Sequence, residues 1–231
     1  MLPAIANRLG TPSKSGGGLP EVNLPENLTL LNYVTSNGST YIQTDIYVSN
    51  ELGVEAKAAR TWPFGNDSER NSKYIVNART LGGGQGENNY FNLPFHWYAG
   101  SKIVVGFGRR VETSIESPYV LGTPYTSSIN LYNSGEAVWN GKVFHTFDRK
   151  AFTPDKWCNR PLPILAFVND DGVYAVYNWI GDFYYALFTL GEEIYRYFVP
   201  VLDNNTNRAC LYEAIEGKTY LPVGSGFTGW G

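Results

Sequence analysis

The chain has 231 residues, 43% of them hydrophobic and 15% aromatic, with 17 Tyr, 25 Gly and 13 Pro against only 17% charged residues. That length suffices for one all-β domain with a substantial core, and the balance favours strands and turns over surface helices. A net charge of −3 without any Lys/Arg cluster argues against a nucleic-acid partner, because neutralising phosphates takes concentrated basic side chains, and no apolar run approaches the ~20 residues of a membrane-spanning helix.

The first segment, MLPAIANRLGTPSKSGGGLPEVNLP, joins a short apolar head to a Ser/Gly-rich middle and holds four prolines, a composition that buries no core of its own. Pro3, Asn7 and Arg8 interrupt what would be the apolar core of an export signal, so none is expected. Residues 1–28 read as an anchoring arm and linker, and 29–231 as the folded domain. Leu2, Pro3, Ile5 and Leu9 are the arm's candidate partner-binding residues, expected to dock on another subunit.

Beyond the arm the pattern is one of strands. In YIQTDIYV, Ile42, Ile46 and Val48 share one face and Gln43, Asp45 and Tyr47 the other; in GVEAKA, Val54, Ala56 and Ala58 oppose Glu55 and Lys57. Both are expected as half-buried strands. Residues 64–100, with Gly82 to Gly84 at their middle, are expected as a long loop or irregular edge, apart from a short strand over 73–77. Further strands are expected at 102–107, 128–132, 142–147, 163–168, 173–180, 183–190 and 194–202, punctuated by Asn-Gly, Asp-Gly and Gly-Asp pairs. Asn140-Gly141 suits a type I′ hairpin turn, in which both central residues need positive φ. A dozen short strands without a long amphipathic helix predict two packed antiparallel sheets.

Only Cys158 and Cys210 are present, so no disulfide framework is encoded; two buried thiols or a single bridge both remain open. The sequons at Asn27, Asn37, Asn66 and Asn204 read as turn-rich segments.

The C-terminal FVPVLDNNTNRACLYEAIEGKTYLPVGSGFTGWG resembles the closing signature of laminin-G-like, concanavalin A-like jelly-roll proteins, in which an aromatic strand ends in a V-P-x-L-D pattern, a CLYD element follows, and a G-K-x-Y then G-x-G-x-F pattern closes the domain. Phe198, Pro200, Asp203, Cys210, Leu211, Tyr212, Gly217, Lys218, Tyr220, Gly224, Gly226 and Phe227 carry the likeness. Gly38, Tyr41, Ile42 and Thr44 match the opening strand, where Asp45 replaces a Gly. The likeness runs from about Leu30 to the C-terminus. It implies a two-sheet antiparallel jelly-roll sandwich and a bacteriophage virion component, a capsid decoration, fibre or tail-associated module, with other capsid or tail subunits as partners and homo-oligomers expected. Such proteins carry an arm of L-P-x-x-x-N-R character, as in Leu2 to Arg8 here. The motif's own physics is structural: Pro200 is expected to end ladder pairing, Asp203 and Asn204 to turn the chain, and Gly224 and Gly226 to take backbone conformations closed to other residues.

Sites of chemistry are sparse. GSGFTG at 224–229 formally fits a G-x-G-x-x-G fingerprint, but no room follows it for the helix that would hold a pyrophosphate. With His96 and His145 the only histidines, a histidine-based triad has few candidates, and a structural role is expected for His145. No strand carries the alternating carboxylates of a jelly-roll glycosidase, since Glu192 and Glu193 are neighbours and Asp170 and Asp171 lie in a turn. Asp45, Asp67 and the Asp170-Asp171 pair read as solvated turns rather than a calcium loop. No catalytic residue, metal or cofactor is expected. The candidate binding constellation is NNYFNLPFHWYAG, where Tyr90, His96, Trp97 and Tyr98 sit with Phe91 and Phe95; flat rings beside Asn88, Asn89 and Asn92 stack on sugars or fill a core or subunit interface. Trp62 and Trp139 carry the same two readings. The expected function is thus a non-enzymatic virion protein with a second role in adhesion to host-surface glycan, the alternatives being a bacterial glycan-binding or adhesin module or, behind it, a glycoside hydrolase.

Overall fold

The computed structural model describes residues 18–61, 74–79, 90–98, 102–108, 110–111, 120–132, 135–146, 159–169, 171–174 and 178–231, which hold nineteen strands and no helix. In chain order these are β1 (Leu28–Leu30), β2 (Tyr33–Asn37), β3 (Ile42–Gln43), β4 (Leu52–Arg60), β5 (Val76–Arg79), β6 (Tyr90–Tyr98), β7 (Lys102–Gly108) and β8 (Arg110–Val111). Then follow β9 (Tyr125–Asn130), β10 (Glu136–Trp139), β11 (Lys142–Thr146), β12 (Pro163–Ile164), β13 (Ala166–Asn169) and β14 (Gly172–Tyr174). The last five are β15 (Ile180–Leu190), β16 (Glu193–Asp203), β17 (Arg208–Glu213), β18 (Lys218–Tyr220) and β19 (Phe227–Trp230).

They form two sheets. The larger runs β11-β10-β9-β4-β15-β16-β17-β18, and the smaller β14-β13-β5-β6-β7-β8 with β3 and β12 attached. One hydrophobic core joins them: Val54, Ala56, Phe183, Phe188 and Phe198 of the larger sheet pack with Ile42, Val76, Phe91, Ile164 and Val168 of the smaller. The nineteen strands pair antiparallel except for β5 with β13, which run parallel from Ala166 opposite Val76 to Asn169 opposite Arg79; Tyr74 and Asn178 add an isolated parallel bridge.

The larger sheet forks. β15 and β16 pair with each other only from Ala186 to Leu190, near their hairpin. Farther out, Ile180 to Phe183 pair with β2, whose other edge takes β19, while Val201 to Asp203 pair with β1. Pro200 lies inside β16 rather than ending it. It faces Leu211 on β17, and its carbonyl accepts the Leu31 N–H at 3.0 Å where β1 stops, so its missing N–H falls at a gap in the ladder.

Several expected elements hold. Asn140 and Gly141 have φ of 47° and 76°, as a type I′ turn between β10 and β11 requires. Gly224 and Gly226 take φ of 94° and 95°, and Asp203 accepts the Asn205 N–H at 3.0 Å and the Thr206 hydroxyl at 2.8 Å to turn the chain. From Ile42 to Val48 burial alternates as read, yet only Ile42 and Gln43 pair as strand. Other expectations need correction. β4 is buried along nearly all its length instead of on one face, because it is a central strand between β9 and β15, and Arg60 is buried with it. Residues 163–168 break at Leu165, whose φ of 69° turns its N–H to Ile75 and its carbonyl to Trp179. Gly181-Asp182 is not a turn: β15 runs straight through it, and a Cβ on Gly181, at φ 145°, would lie 2.2 Å from the Ala59 carbonyl oxygen. Only glycine lets β4 approach so closely.

Candidate functional site

The stretch that the sequence marks as a loop of aromatics is a strand over Tyr90 to Tyr98. β6 lies between β5 and β7, in register from Tyr90 opposite Gly108 to Tyr98 opposite Lys102, with an irregularity between Asn92 and His96. Phe91 and Leu93 are fully buried in the core. The side chains of Tyr90, His96, Trp97 and Tyr98 lie outside the described residues, as do Trp62 and the arm residues Leu2, Pro3, Ile5 and Leu9. Trp139 is core: it is 6% exposed and stacks on Tyr125 with centroids 5.2 Å apart. His145 is half-buried in β11, and burial lowers its pKa. Asp45 is exposed and accepts the Tyr220 hydroxyl at 3.3 Å; Asp67 and Asp170 lie outside the described residues. No group of three or more His, Cys, Asp or Glu suited to a metal exists among the described residues.

The outer face of the larger sheet, which the sequence did not single out, holds three connected features. The first is an apolar cluster, separate from the main core, made of Leu28, Tyr185, Tyr197, Val199, Val201, Cys210 and Tyr212. The segment leading into β1 crosses it: Leu19, Val22 and Leu24 pack on the cluster while Glu21, Asn23 and Pro25 point outward, and Tyr212 donates its hydroxyl to the Asn23 carbonyl at 3.3 Å. From Glu21 to Pro25 exposure alternates with a period of two, as in extended chain, and Leu19 to Leu24 forms a strap over the cluster. Cys210 beneath it is a free thiol, pushed up to about 11 by burial and the nearby Asp203 carboxylate.

The second feature is a buried acid. Glu55 on β4 accepts the Tyr185 hydroxyl at 2.8 Å, and burial raises its pKa against the lowering effect of that bond. Burial and the Glu55 charge push the Tyr185 hydroxyl well above its usual range and bring Tyr197 up to about 12. Glu213, fully buried, accepts backbone N–H groups of Tyr197 and Ile215 at 2.9 Å each and of Glu216 at 2.7 Å, which is a turn-fixing role.

The third is a row of rings that adjoins the apolar cluster through Tyr184. Tyr33 on β2 lies 5.4 Å from Tyr184 on β15 and 6.3 Å from Trp230 on β19, the latter pair only 24° from parallel. The Lys57 ammonium sits over the Tyr184 ring at 5.3 Å. Along the row the Trp230 indole N–H donates to Thr35 Oγ1 at 3.0 Å, and the Thr35 hydroxyl donates to Asp182 Oδ1 at 2.6 Å. Half-burial raises the Asp182 pKa, with the Thr35 bond opposing.

Compared with protein-family models, with curated proteins and with solved structures, the chain matches none.

Proposed function

We propose that this chain is a non-enzymatic structural protein of a bacteriophage particle, a capsid decoration, fibre or tail-associated component. Its N-terminal arm is held by capsid or tail subunits, and a concanavalin A-like jelly roll is displayed outward, with adhesion to host-surface glycan as a second task. The C-terminal motif supports the family, and the all-β body supports the architecture. The observation that carries the anchoring is the strap. Leu19 to Leu24 is laid on the outside of the sandwich, on a cluster apart from the main core. An apolar head on a Gly/Ser-rich tether then finds its burial on a partner. The net charge of −3 suits protein or glycan partners over nucleic acid.

The test separates arm from strap. Deleting residues 1–17 leaves the strap and abolishes binding to particles lacking this protein, with the melting transition unchanged; deleting 1–27 also lowers the melting temperature. Undiminished particle binding by the 1–17 deletion refutes the anchoring. A glycan-binding or adhesin module outside any particle is the second reading, favoured by the row of rings at Tyr33, Tyr184 and Trp230. It predicts that both deletions keep glycan binding and that neither form binds particles.

A further inference from the structure

We propose that the Tyr33-Tyr184-Trp230 row is a binding platform for a neutral oligosaccharide, its rings taking the C–H faces of successive sugars and Asp182 accepting from their hydroxyls. This rests on the adhesion half of the proposed function and is independent of the anchoring half.

Three strands build the row. Trp230 faces Tyr33 across β19 and β2, and Thr35 faces Asp182 across β2 and β15, all on the outer face, while Val34, Phe183 and Phe227 point into the core. Rings fixed on paired strands lose little freedom when a ligand stacks on them. Trp230 is 49% exposed, and Tyr33, Tyr184, Lys57 and Asp182 are each part-exposed, so the row is open to solvent.

The direction of the hydrogen bonds identifies the ligand. An aromatic row also suits a proline-rich peptide, which offers backbone carbonyls and needs donors such as an indole N–H. Here the indole N–H is spent on Thr35, and the Thr35 hydroxyl is spent on Asp182. The chain of bonds ends on a carboxylate, an acceptor only. The Lys57 ammonium is engaged over the Tyr184 ring. A ligand with flat apolar faces and several O–H donors fits this arrangement, and a pyranose is such a ligand. Uronates and sialic acids are disfavoured because their carboxylates would meet Asp182.

The experiment uses the full chain on an array of neutral hexose oligomers, sialylated glycans and uronate oligomers, with decaproline as the peptide probe. Wild-type protein is retained by one or more neutral oligomers. W230A and D182N each weaken that binding on the order of tenfold, the loss of a stacking face or of one charge-assisted hydrogen bond. Melting of W230A, altered at a half-exposed side chain, matches wild type and shows that the fold is intact. Overturning results are no retention on neutral oligomers, equal retention of W230A, retention on acidic glycans alone, or decaproline binding that W230A abolishes. Incorporation of W230A into particles, measured alongside, reports on the anchor separately from the platform.

Discussion

Tyr185→Phe removes one oxygen and tests how the outer face tolerates a buried acid. The hydroxyl donates to Glu55 Oε1 at 2.8 Å, reaching diagonally between β15 and β4, where Tyr185 faces Lys57 and Glu55 faces Leu187. Phe keeps the ring in its cluster, so the change removes the hydroxyl's bonds to Glu55 and Thr126 without removing packing, and only the Glu55 bond changes with the charge of the acid. With Glu55 ionised, a hydrogen bond to a charged group is worth about 1.5–3 kcal/mol net, and its loss leaves a buried carboxylate without that donor. For a chain of this length, about 2 kcal/mol lowers the melting temperature by roughly 4–8 °C.

The pH dependence is the sharper readout. Burial raises the Glu55 pKa above its ordinary 4.5, so the native state holds this proton more tightly than the unfolded chain. Stability from Glu55 is therefore fully present below pH 4.5 and lost as pH rises through the higher native value. Tyr185→Phe deletes the contact that pulls that value down, which extends the loss to higher pH. Urea denaturation at pH 4 and pH 7, followed by far-ultraviolet circular dichroism, should give a small cost at pH 4, about 0.5–1.5 kcal/mol for a neutral bond, and the larger one at pH 7. In the Glu55→Gln background the cost of Tyr185→Phe should be small at both pH values. Equal costs at pH 4 and pH 7 in the wild-type background would refute the reasoning.

Other perturbations report on different parts of the fold. Gly181→Ala places a Cβ 2.2 Å from the Ala59 carbonyl oxygen at φ 145°, so calorimetry should show a loss above about 2 kcal/mol, and a neutral result would mean that β4 and β15 are not in this register. Phe188→Ala opens a cavity beside Phe198, whose ring meets it edge-on at 5.8 Å; the urea midpoint should fall by the equivalent of about 3–5 kcal/mol with an unchanged slope. Cys210, buried and raised to about 11, should resist iodoacetamide at pH 8 until the chain is unfolded, as peptide mass mapping of the native and denatured protein will show. Rapid native labelling there would place the strap elsewhere.

The fold class was legible because its signals are local. Asn140-Gly141 specifies its own turn, and the alternation from Ile42 to Val48 marks which side chains face the core even where backbone pairing is confined to two residues. What could not be read depends on neighbours in space. Glu55 and Lys57 alternate with Val54, Ala56 and Ala58 as in a half-solvated strand, but flanking by β9 and β15 buries most of β4. Gly181 looks like turn punctuation until β4 lies against it. Pro200 looks like a strand terminator until β1 is seen to stop beside it.

The same distinction governs the site. Tyr90 to Tyr98 drew notice because its rings are adjacent in sequence, yet adjacent residues of a strand point to opposite faces, and Phe91 proves to be core. Tyr33, Tyr184 and Trp230 are far apart in sequence, and each alone is an ordinary strand aromatic. They become a row only because the fork in the larger sheet admits β2 beside β15 and leaves β19 on its far edge. A surface platform on a sheet needs side chains two residues apart on one strand or opposite each other on neighbouring strands. Its sequence signal is therefore a register, not a motif, and the Thr35-Asp182 and Tyr33-Trp230 pairs are the two registers that build it here.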